Sequence, residues 1–279
     1  MAAPLGTLLS DSWSSFRRAL MPILIGAVIF GLILGISQSF LGQRVAQKTG
    51  SALEDLGFNQ QDLQDLQQRI QAGDQAAVEE FQRKMQEVTG AQGEKLPGAV
   101  ASMYGTLLPV MGASMLLMWV VSLIASAYFL VLSLEEGLTF QTALQRAPGL
   151  IIPLFLLSLW VMIRSFIWIP FIGIITAIIL GPRFMLAPVL LAKEHKGVLE
   201  SASLSYAKTQ GYWGKIVGNG IVASLLAMVA IMVIGIIVSI LGASTAVLVM
   251  PMLNMLVTAF LTIFVVKLSQ TVLANPLRA

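Results

Sequence analysis

The stretch IVGNGIVASLLAMVAIMVIGIIVSIL, residues 216–241, decides the class of this protein. It contains no ionisable side chain from its first residue to its last. A helix that crosses the hydrocarbon core of a bilayer needs about 20 predominantly apolar residues, and this stretch is longer than that. Its apolar residues are continuous and do not alternate with polar ones, which excludes a strand of a membrane barrel. The stretch is therefore predicted to be a transmembrane α-helix.

Four further apolar runs extend the membrane domain outward from this stretch. They are residues 20–41, 99–134, 150–191 and 246–273. The run 150–191 is too long for one crossing. Arg164 and the segment Trp168–Pro170 divide it, because a proline and interfacial aromatic residues suit a turn at the membrane surface. We therefore predict an all-α, polytopic membrane protein with about six transmembrane helices.

The composition of the chain agrees with this class. Hydrophobic residues make up 57% of it and charged residues 11%, with a mean hydropathy of +0.84, whereas about a quarter of the residues of a soluble domain are charged. The chain has no cysteine, which excludes disulfides and thiolate metal sites. The run 20–41 follows Arg17 and Arg18, but it exceeds the apolar core of a signal peptide, about 7–15 residues, so we interpret it as a span.

The distribution of charge predicts the orientation of the spans. Six crossings place both termini on one side, and on that side basic residues outnumber acidic ones, whereas acidic residues outnumber basic ones on the other side. Lys and Arg near the ends of spans mark the cytoplasmic face. We therefore expect a multi-pass protein of the plasma or inner membrane with both termini in the cytoplasm. The net charge of +3 is modest and does not indicate nucleic-acid binding.

One polar insert sets the expected domain boundaries. Residues 1–19 are predicted to form an N-terminal interfacial helix, 20–42 the first span, 43–98 a soluble, extracytoplasmic α-hairpin insert, and 99–279 the remaining five-span membrane domain. Residues 51–96 of the hairpin offer a surface for a protein partner, although a merely solvated hairpin explains the same pattern.

Two narrow apolar stripes predict this hairpin. Asn59 is expected to cap the first helix, with Phe58 stapled to Leu63 and Gly73 at its end. Asp74 then caps a second helix that ends at Gly90. The stripes that would pack the two helices together consist of Leu63, Leu66 and Ile70 in the first helix and Val78, Phe81, Met85 and Val88 in the second.

A short amphipathic helix precedes each of the three expected pairs of spans. The three apolar faces are Leu5, Leu8, Leu9, Trp13 and Phe16; Phe140, Ala143, Leu144 and Ala147; and Val198, Leu199, Ala202 and Tyr206. Each helix is expected to lie at the headgroup level on the cytosolic side. Leu204 falls off the third face and is expected to touch a neighbouring helix. The pattern suggests three copies of one unit, an interfacial helix followed by a transmembrane hairpin.

The segment GPRFMLAPVLLAKEHKGVLESASLSYAKTQGYWGKIVG, residues 181–218, carries a family pattern. Its characteristic positions are Arg183, Ala187, Pro188, Glu194, Gly197, Ala202, Ser205, Gly211 and Trp213. In these residues the chain resembles the membrane domain attached to some bacterial glycerophosphoryl diester phosphodiesterases and its stand-alone relatives of unknown function. The resemblance extends over about residues 135–273, and the insert has no counterpart in it.

The resemblance implies a helical membrane domain without catalysis. In that family the phosphodiesterase activity resides in a separate soluble barrel that uses histidines and a carboxylate-bound metal. This chain has one histidine and no room for such a barrel, so the family name does not imply that activity here.

The sequence itself offers little for chemistry. His195 is flanked by lysines, whereas a zinc site needs three or four convergent ligands. A pair with a nearby serine would lack an orienting Asp and a G-x-S-x-G elbow. The neighbours Glu135 and Glu136 do not face each other on a helix and more simply mark the water interface. We therefore predict no catalytic, cofactor-binding or metal-binding residue, and no cofactor.

The remaining candidate residues have packing or interfacial roles. They are Arg183, Glu194, Gly197, Leu199, Ser205, Trp213, Gly214 and Gly218. Gly214 and Gly218 form a GxxxG pair, as do Gly31 and Gly35, and such pairs let helices approach closely. Asn219 and Asn254 are candidate buried polar residues, explained either by interhelical hydrogen bonds or by a substrate path.

These features favour a non-enzymatic membrane protein, either a scaffold, an accessory domain or a lipid-associated domain. Its expected partners are the lipid bilayer and anionic lipid headgroups. A small solute transporter or permease is the alternative, but the predicted spans contain no Asp or Glu of the kind that ion-coupled carriers use deep in the membrane. An enzyme acting on lipid comes third.

Overall fold

The computed structural model describes residues 4–55, 65–66, 69–70, 74–80, 82–83, 96–166, 170–240 and 243–275, and the regular structure in these ranges is entirely helical. This confirms the all-α class. The long and short helices are α1 (Leu5–Arg18), α2 (Leu20–Asp55), α3 (Leu96–Leu134), α4 (Phe140–Arg146), α5 (Pro148–Phe166), α6 (Pro170–Phe184), α7 (Ala187–Glu194), α8 (Val198–Lys208), α9 (Trp213–Ile240) and α10 (Ala243–Ala274).

Four helices of the described chain are long and apolar enough to cross a membrane. These segments are Leu20–Val45, Leu108–Leu134, Trp213–Val238 and Thr245–Ala274. A fifth results if α4 and the part of α5 up to Arg164, which meet at an angle of 53°, are taken together as one bent span. The protein is therefore an integral membrane protein with four to five candidate spans among the described residues.

The apolar run 150–191 differs from its expected form. It was predicted to supply two crossings, but its second half forms two helices, α6 and α7. Pro182 lies near the end of α6 and Pro188 in the first turn of α7, and neither has an N–H to continue a helix from the preceding turn. With 15 residues, α6 is roughly 22 Å long at 1.5 Å per residue, which is shorter than the hydrocarbon core of about 30 Å.

The chain divides into two compact units, of which the first comprises Met1–Gly35 and Trp119–Ala279. Inside this unit α2 and α10 cross at very close range. A Cβ added to Gly31 would lie 2.4 Å from Cα of Met252, and one added to Gly35 would lie 3.0 Å from the carbonyl oxygen of Val247. The GxxxG pair of α2 thus forms a helix contact, because only a residue without a Cβ admits this distance.

Helix α1 lies along α10, which differs from the purely interfacial position expected for it. Leu8 packs with Phe264 and Leu268. Farther along α1, the ring of Phe16 lies 5.9 Å from that of Phe260, in an edge-on arrangement. The predicted apolar face is thus confirmed at Leu8 and Phe16, which are buried, but Trp13 is mostly exposed. Neighbouring helices cover the buried part of this face.

The second short helix, α4, follows its predicted face in part. Ala143 and Ala147 are fully buried, and the ring of Phe140 lies 5.6 Å from that of Tyr128. Leu144 is exposed, contrary to the expectation that it would share the covered face. Thr139 caps the helix by accepting a hydrogen bond from the N–H of Thr142, which satisfies one of the free donors of the first turn.

Two contacts bring four helix termini together at one end of the first unit. Arg18, just before α2, binds Glu136, just after α3, with 2.8 Å between Nη1 and Oε2. Tyr212, just before α9, donates its hydroxyl to the carbonyl of Asn275, just after α10. Since α1 also packs along α10, the starts of α2 and α9 and the ends of α3 and α10 lie at this end.

The second unit, Ile36–Met118, contains the insert. Arg69 forms ion pairs with Asp74, at 2.9 Å, and with Glu80, at 3.3 Å. The side-chain hydrogen bond from Arg69 lowers the pKa of Asp74 from its ordinary value. Asp74 also accepts a hydrogen bond of 3.0 Å from the N–H of Ala76, as a helix N-cap does. The predicted capping role of Asp74 is therefore confirmed.

The apolar stripes of the insert are confirmed only at Leu66, which is buried. Ile70 and Val78 are exposed, and the buried residue beside Val78 is Ala77. The residue that packs inward at this point is Ala77, one position before the predicted Val78. The predicted register of the second stripe was therefore wrong by one position here. The other predicted caps and stripe residues lie outside the described residues: Phe58, Asn59, Leu63, Gly73, Phe81, Met85, Val88 and Gly90.

Candidate functional site

The segment around His195 forms a helix junction. His195 is the C-cap of α7 in the left-handed conformation, with φ of 52°, and its side chain is exposed. Lys196 binds Glu200 with 2.6 Å between Nζ and Oε1, and this hydrogen bond raises the pKa of Lys196. Among the described residues no group of three or more His, Asp or Glu side chains is placed to hold a metal ion.

Glu194 and Gly197 flank this junction. Glu194 is exposed at the last position of α7. Gly197 is the N-cap of α8, and its carbonyl accepts the N–H of Ser201 at 2.8 Å. A Cβ on Gly197 would meet no atom within 4 Å. Gly197 therefore acts in the family pattern as the N-cap of α8 and does not form a close contact with another helix.

The C-terminus of α6 provides hydrogen-bond acceptors for three side chains of residues 181–218, those of Ser205, Thr209 and Trp213. Its free carbonyl at Arg183 accepts the hydroxyl of Ser205 at 2.7 Å and that of Thr209 at 3.2 Å. The indole N–H of Trp213 donates to the carbonyl of Ile179 at 3.0 Å. A helix end leaves carbonyls without intrahelical donors, and Pro182 removes one more donor from this turn. Ser205 and Thr209 therefore supply a donor to a carbonyl that the helix leaves free, and Trp213 adds a hydrogen bond to the same end of α6.

Helix α8 packs against its neighbouring helices through small residues. Ser201, Ala202 and Ser205 are buried, whereas Leu199 is 61% exposed and Tyr206 is exposed as well. This buried face consists of small residues, and α8 packs against α6 and α7. Leu199 and Tyr206 point away from the described helices, and their predicted contact with the membrane surface stays a prediction.

Two further details complete the surroundings of α8. The guanidinium of Arg183 lies over the ring of Tyr206, 4.7 Å from its centroid, which is within the range of a cation–π interaction. Leu204 packs against a cluster that includes Leu186, Leu190 and Tyr212, so its predicted contact with neighbouring helices is confirmed. Gly211 has φ of +82°, a conformation in which a side chain would be strained.

We expect the double variant Ser205→Ala, Thr209→Val to destabilise the protein by about 1–3 kcal/mol, the cost of leaving a buried carbonyl without a partner. The hydroxyl of Ser205 is the main donor to the carbonyl of Arg183, at 2.7 Å, and that of Thr209, which lies 2.8 Å from the carbonyl of Ser205, is the alternative donor at 3.2 Å. Removing both hydroxyls leaves this carbonyl without either side-chain donor. Thermal unfolding in detergent measures the loss. Ser203→Ala is the matched control, because Ser203 is exposed on the same helix. Equal stability of the double variant and the control would contradict this role.

Four other predicted positions do not take part in close helix packing. Gly214 and Gly218 are exposed, and a Cβ on either would meet no atom within 4 Å. Asn254 is exposed and Asn219 only partly buried. The GxxxG spacing of α9 and the asparagines therefore do not mark buried contacts, because the faces that carry them are not covered by another described helix.

A cavity of about 710 Å³ lies in the first unit and was not anticipated from the sequence. Residues of α3, α5, α6, α7 and α10 line it. Its walls are mainly apolar, with Leu157 and Leu261 among them, and no ionisable side chain lines it. This volume lies within the range of ligand pockets, about 300–1,000 Å³.

Three of the four hydroxyl groups at the cavity wall are already engaged. Thr258 donates to the carbonyl of Asn254 and Thr262 to that of Thr258, each at 2.8 Å. Ser158 likewise donates to the carbonyl of Phe155 at 2.8 Å. These hydroxyls satisfy backbone acceptors of their own helices, so they offer the cavity little hydrogen-bonding capacity. A ligand of this cavity is held by apolar contact.

The cavity opens to the outside of the bundle. Ser158, Met162 and Gly181 line it and are also exposed. The Ser and Thr residues of α10 recur at helical spacing in the sequence, but only the pairing of α10 with α3 and α5 shows that they face a cavity. Comparison of this chain with protein-family models, with curated proteins and with solved structures finds no match.

Proposed function

We propose that this protein is a non-enzymatic, lipid-associated domain of the plasma or inner membrane that acts as a scaffold or accessory protein. The observation that carries the proposal is the cavity of about 710 Å³ with apolar walls, engaged hydroxyls and a side opening. Such a site fits the acyl chain of a bilayer lipid, because it supplies apolar contact and no charge. It also lacks the convergent acid, base or nucleophile that a reaction on lipid requires.

The topology that we propose has both termini in the cytoplasm. The ion pair Arg18–Glu136 and the hydrogen bond Tyr212–Asn275 join the starts and ends of α2, α3, α9 and α10 at one end of the first unit. These contacts favour an even number of crossings: four with α5 and α6 as a re-entrant pair, or six if each of these helices crosses. We favour six, with the basic end in the cytoplasm and the insert, a candidate surface for a protein partner, outside.

We also propose kinship with the membrane domain of glycerophosphoryl diester phosphodiesterases. The positions of the pattern that contact one another support this proposal: Ser205 binds the carbonyl of Arg183, and Trp213 binds the end of the same helix. Gly211 lies where a positive φ favours glycine. The pattern thus coincides with residues that hold a helix junction, as expected for a motif kept for its structure.

A photoreactive phospholipid tests the proposed acyl site. We expect a lipid with a diazirine in its acyl chain to crosslink to the cavity wall of the purified full-length protein in nanodiscs. Met162→Trp should reduce this crosslinking several-fold, because Met162 lies at the opening and the larger side chain fills it. Ile163→Trp is the matched control, since Ile163 is the adjacent residue and is exposed but does not line the cavity. Equal crosslinking of all three proteins would reject the acyl site.

A small solute transporter is the second candidate function. The observation that favours it is the presence of four hydroxyl residues in the cavity wall: Ser126, Ser158, Thr258 and Thr262. Liposomes that contain the purified protein separate the two functions. We expect no flux above that of empty liposomes for cations, anions, sugars or amino acids. A flux that Met162→Trp blocks and Ile163→Trp does not would replace the lipid-associated function with transport.

A further inference from the structure

A second, polar cavity of about 410 Å³ lies between α1 and α10. From α1 it is lined by Asp11, Ser15 and Arg18, and from α10 by Lys267, Gln270 and Thr271. Lys267 and Thr258 are nine positions apart on α10, about two and a half turns, so this cavity and the apolar one lie on opposite sides of that helix. The two sites can therefore be tested independently.

The cavity contains a cation that no described group of the protein neutralises. Lys267 is partly buried, and among the described residues no carboxylate lies within ion-pair distance of its ammonium. The other cation, Arg18, is engaged by Glu136 at 2.8 Å and by the hydroxyl of Ser15 at 3.3 Å. A partly buried charge without a partner is unfavourable, so an anion beside Lys267 stabilises this arrangement.

The cavity lies at the level expected for lipid headgroups. Arg18 and Glu136 stand at the start of α2 and the end of α3, where two candidate spans leave the membrane. Ile263 of α10 lines a small cavity together with both of these residues, and Lys267 is one turn farther along. The candidate span Thr245–Ala274 has 30 residues, roughly 45 Å, so its last turns extend past the hydrocarbon core of about 30 Å.

We infer that this cavity binds the phosphodiester headgroup of a membrane phospholipid that carries an amine. Lys267, the amide of Gln270 and the hydroxyl of Ser15 supply donors for the phosphate oxygens. Asp11, which is exposed and forms no ion pair with Lys267 in the described structure, meets the ammonium group. One basic and one acidic group on the two sides of a cavity match a zwitterionic headgroup. This inference goes beyond the acyl site, because the headgroup chemistry and the residues differ.

The test uses the purified full-length protein exchanged into vesicles of equal parts phosphatidylethanolamine, phosphatidylglycerol and phosphatidylcholine, followed by native mass spectrometry of the retained lipid. We expect the unmodified protein to retain phosphatidylethanolamine preferentially. Lys267→Gln should lower this retention about fivefold, the ratio that one basic side chain contributes at a membrane surface. Lys267→Arg should preserve it, and Asp11→Asn should remove the preference for the amine headgroup.

The control is Lys215→Gln, which removes an exposed lysine at the start of α9, at the same end of the unit. An equal loss in Lys215→Gln and Lys267→Gln would mean that only surface charge matters and would overturn the site. A protein that binds inorganic phosphate, as measured by phosphorus NMR, and retains no lipid would contradict a lipid as the ligand. Loss of this phosphate binding in Lys267→Gln would then show that the cavity binds free phosphate. Met162→Trp should leave headgroup retention unchanged, so failure of the acyl site and failure of this site give different results.

Discussion

Gly31→Val should strongly destabilise the membrane domain. A Cβ at Gly31 would lie 2.4 Å from Cα of Met252 and 2.6 Å from its backbone nitrogen. The obstructing atoms are backbone, so no rotamer change relieves the clash, and α2 must move away from α10. Overpacking typically costs about 1–3 kcal/mol and sometimes more. We expect about 3 kcal/mol and a fall of the unfolding midpoint in detergent by roughly 5–10 °C.

The matched control for this variant is Gly218→Val. Gly218 belongs to a GxxxG pair of the same spacing, but a Cβ there would meet no atom within 4 Å. Its substitution should leave the midpoint within a few degrees. If the two variants unfold at the same temperature, the close crossing of α2 and α10 is wrong, and the spacing alone carries no information about helix contacts in this protein.

Tyr128→Ala should have the other large effect. Tyr128 is fully buried in the first unit. Its ring lies 5.6 Å from that of Phe30 and 5.3 Å from that of Phe129, and its hydroxyl donates to the carbonyl of Pro22 at 2.6 Å. Truncation of a buried aromatic residue to alanine costs about 3–5 kcal/mol, because the cavity left behind collapses only in part. Packing is a principal force between helices in a membrane, so other interactions do not compensate for the packing energy that Tyr128→Ala removes.

Two comparisons separate packing from hydrogen bonding at this position. Tyr128→Phe keeps the ring and removes the hydroxyl, so it should cost only about 1 kcal/mol, the net contribution of one hydrogen bond. Tyr206→Ala makes the same truncation at an exposed tyrosine and should cost much less than Tyr128→Ala. Unfolding in detergent, followed by circular dichroism, measures all three. A cost at Tyr206 equal to that at Tyr128 would contradict the buried position of Tyr128.

Several features of the fold could be predicted from the sequence because they depend on local properties. Continuous apolar runs predict helices in a membrane, since an unpaired backbone group in hydrocarbon costs several kcal/mol and a helix satisfies these groups within the segment. Short polar and apolar patterns also placed α1, α4 and α8 near their observed bounds. Asp74 caps a helix as expected, because capping involves only the next few residues.

The orientation of helix faces was predicted less well. The predicted face of α8 included Ala202, which is buried, but it did not include Ser201 and Ser205, which are buried as well. In a soluble protein a large apolar side chain that faces outward is penalised by water. Beside a bilayer that penalty is absent, so an apolar residue does not identify the inward face. Small residues and hydroxyls identify it better, because they admit a close neighbour or supply a donor to its carbonyls.

The sequence by itself thus determined the class of this protein, the positions of most helices and the polar character of the insert. Only the tertiary structure decided that Gly31 is a contact and Gly218 is not, that Ser205 serves the carbonyl of Arg183, and that two cavities flank α10. Each of these depends on which segments meet. The hydroxyl of Tyr128 and the carbonyl of Pro22 lie 106 residues apart in the chain, and no local pattern encodes such a pairing, because it results from the packing of all the helices together.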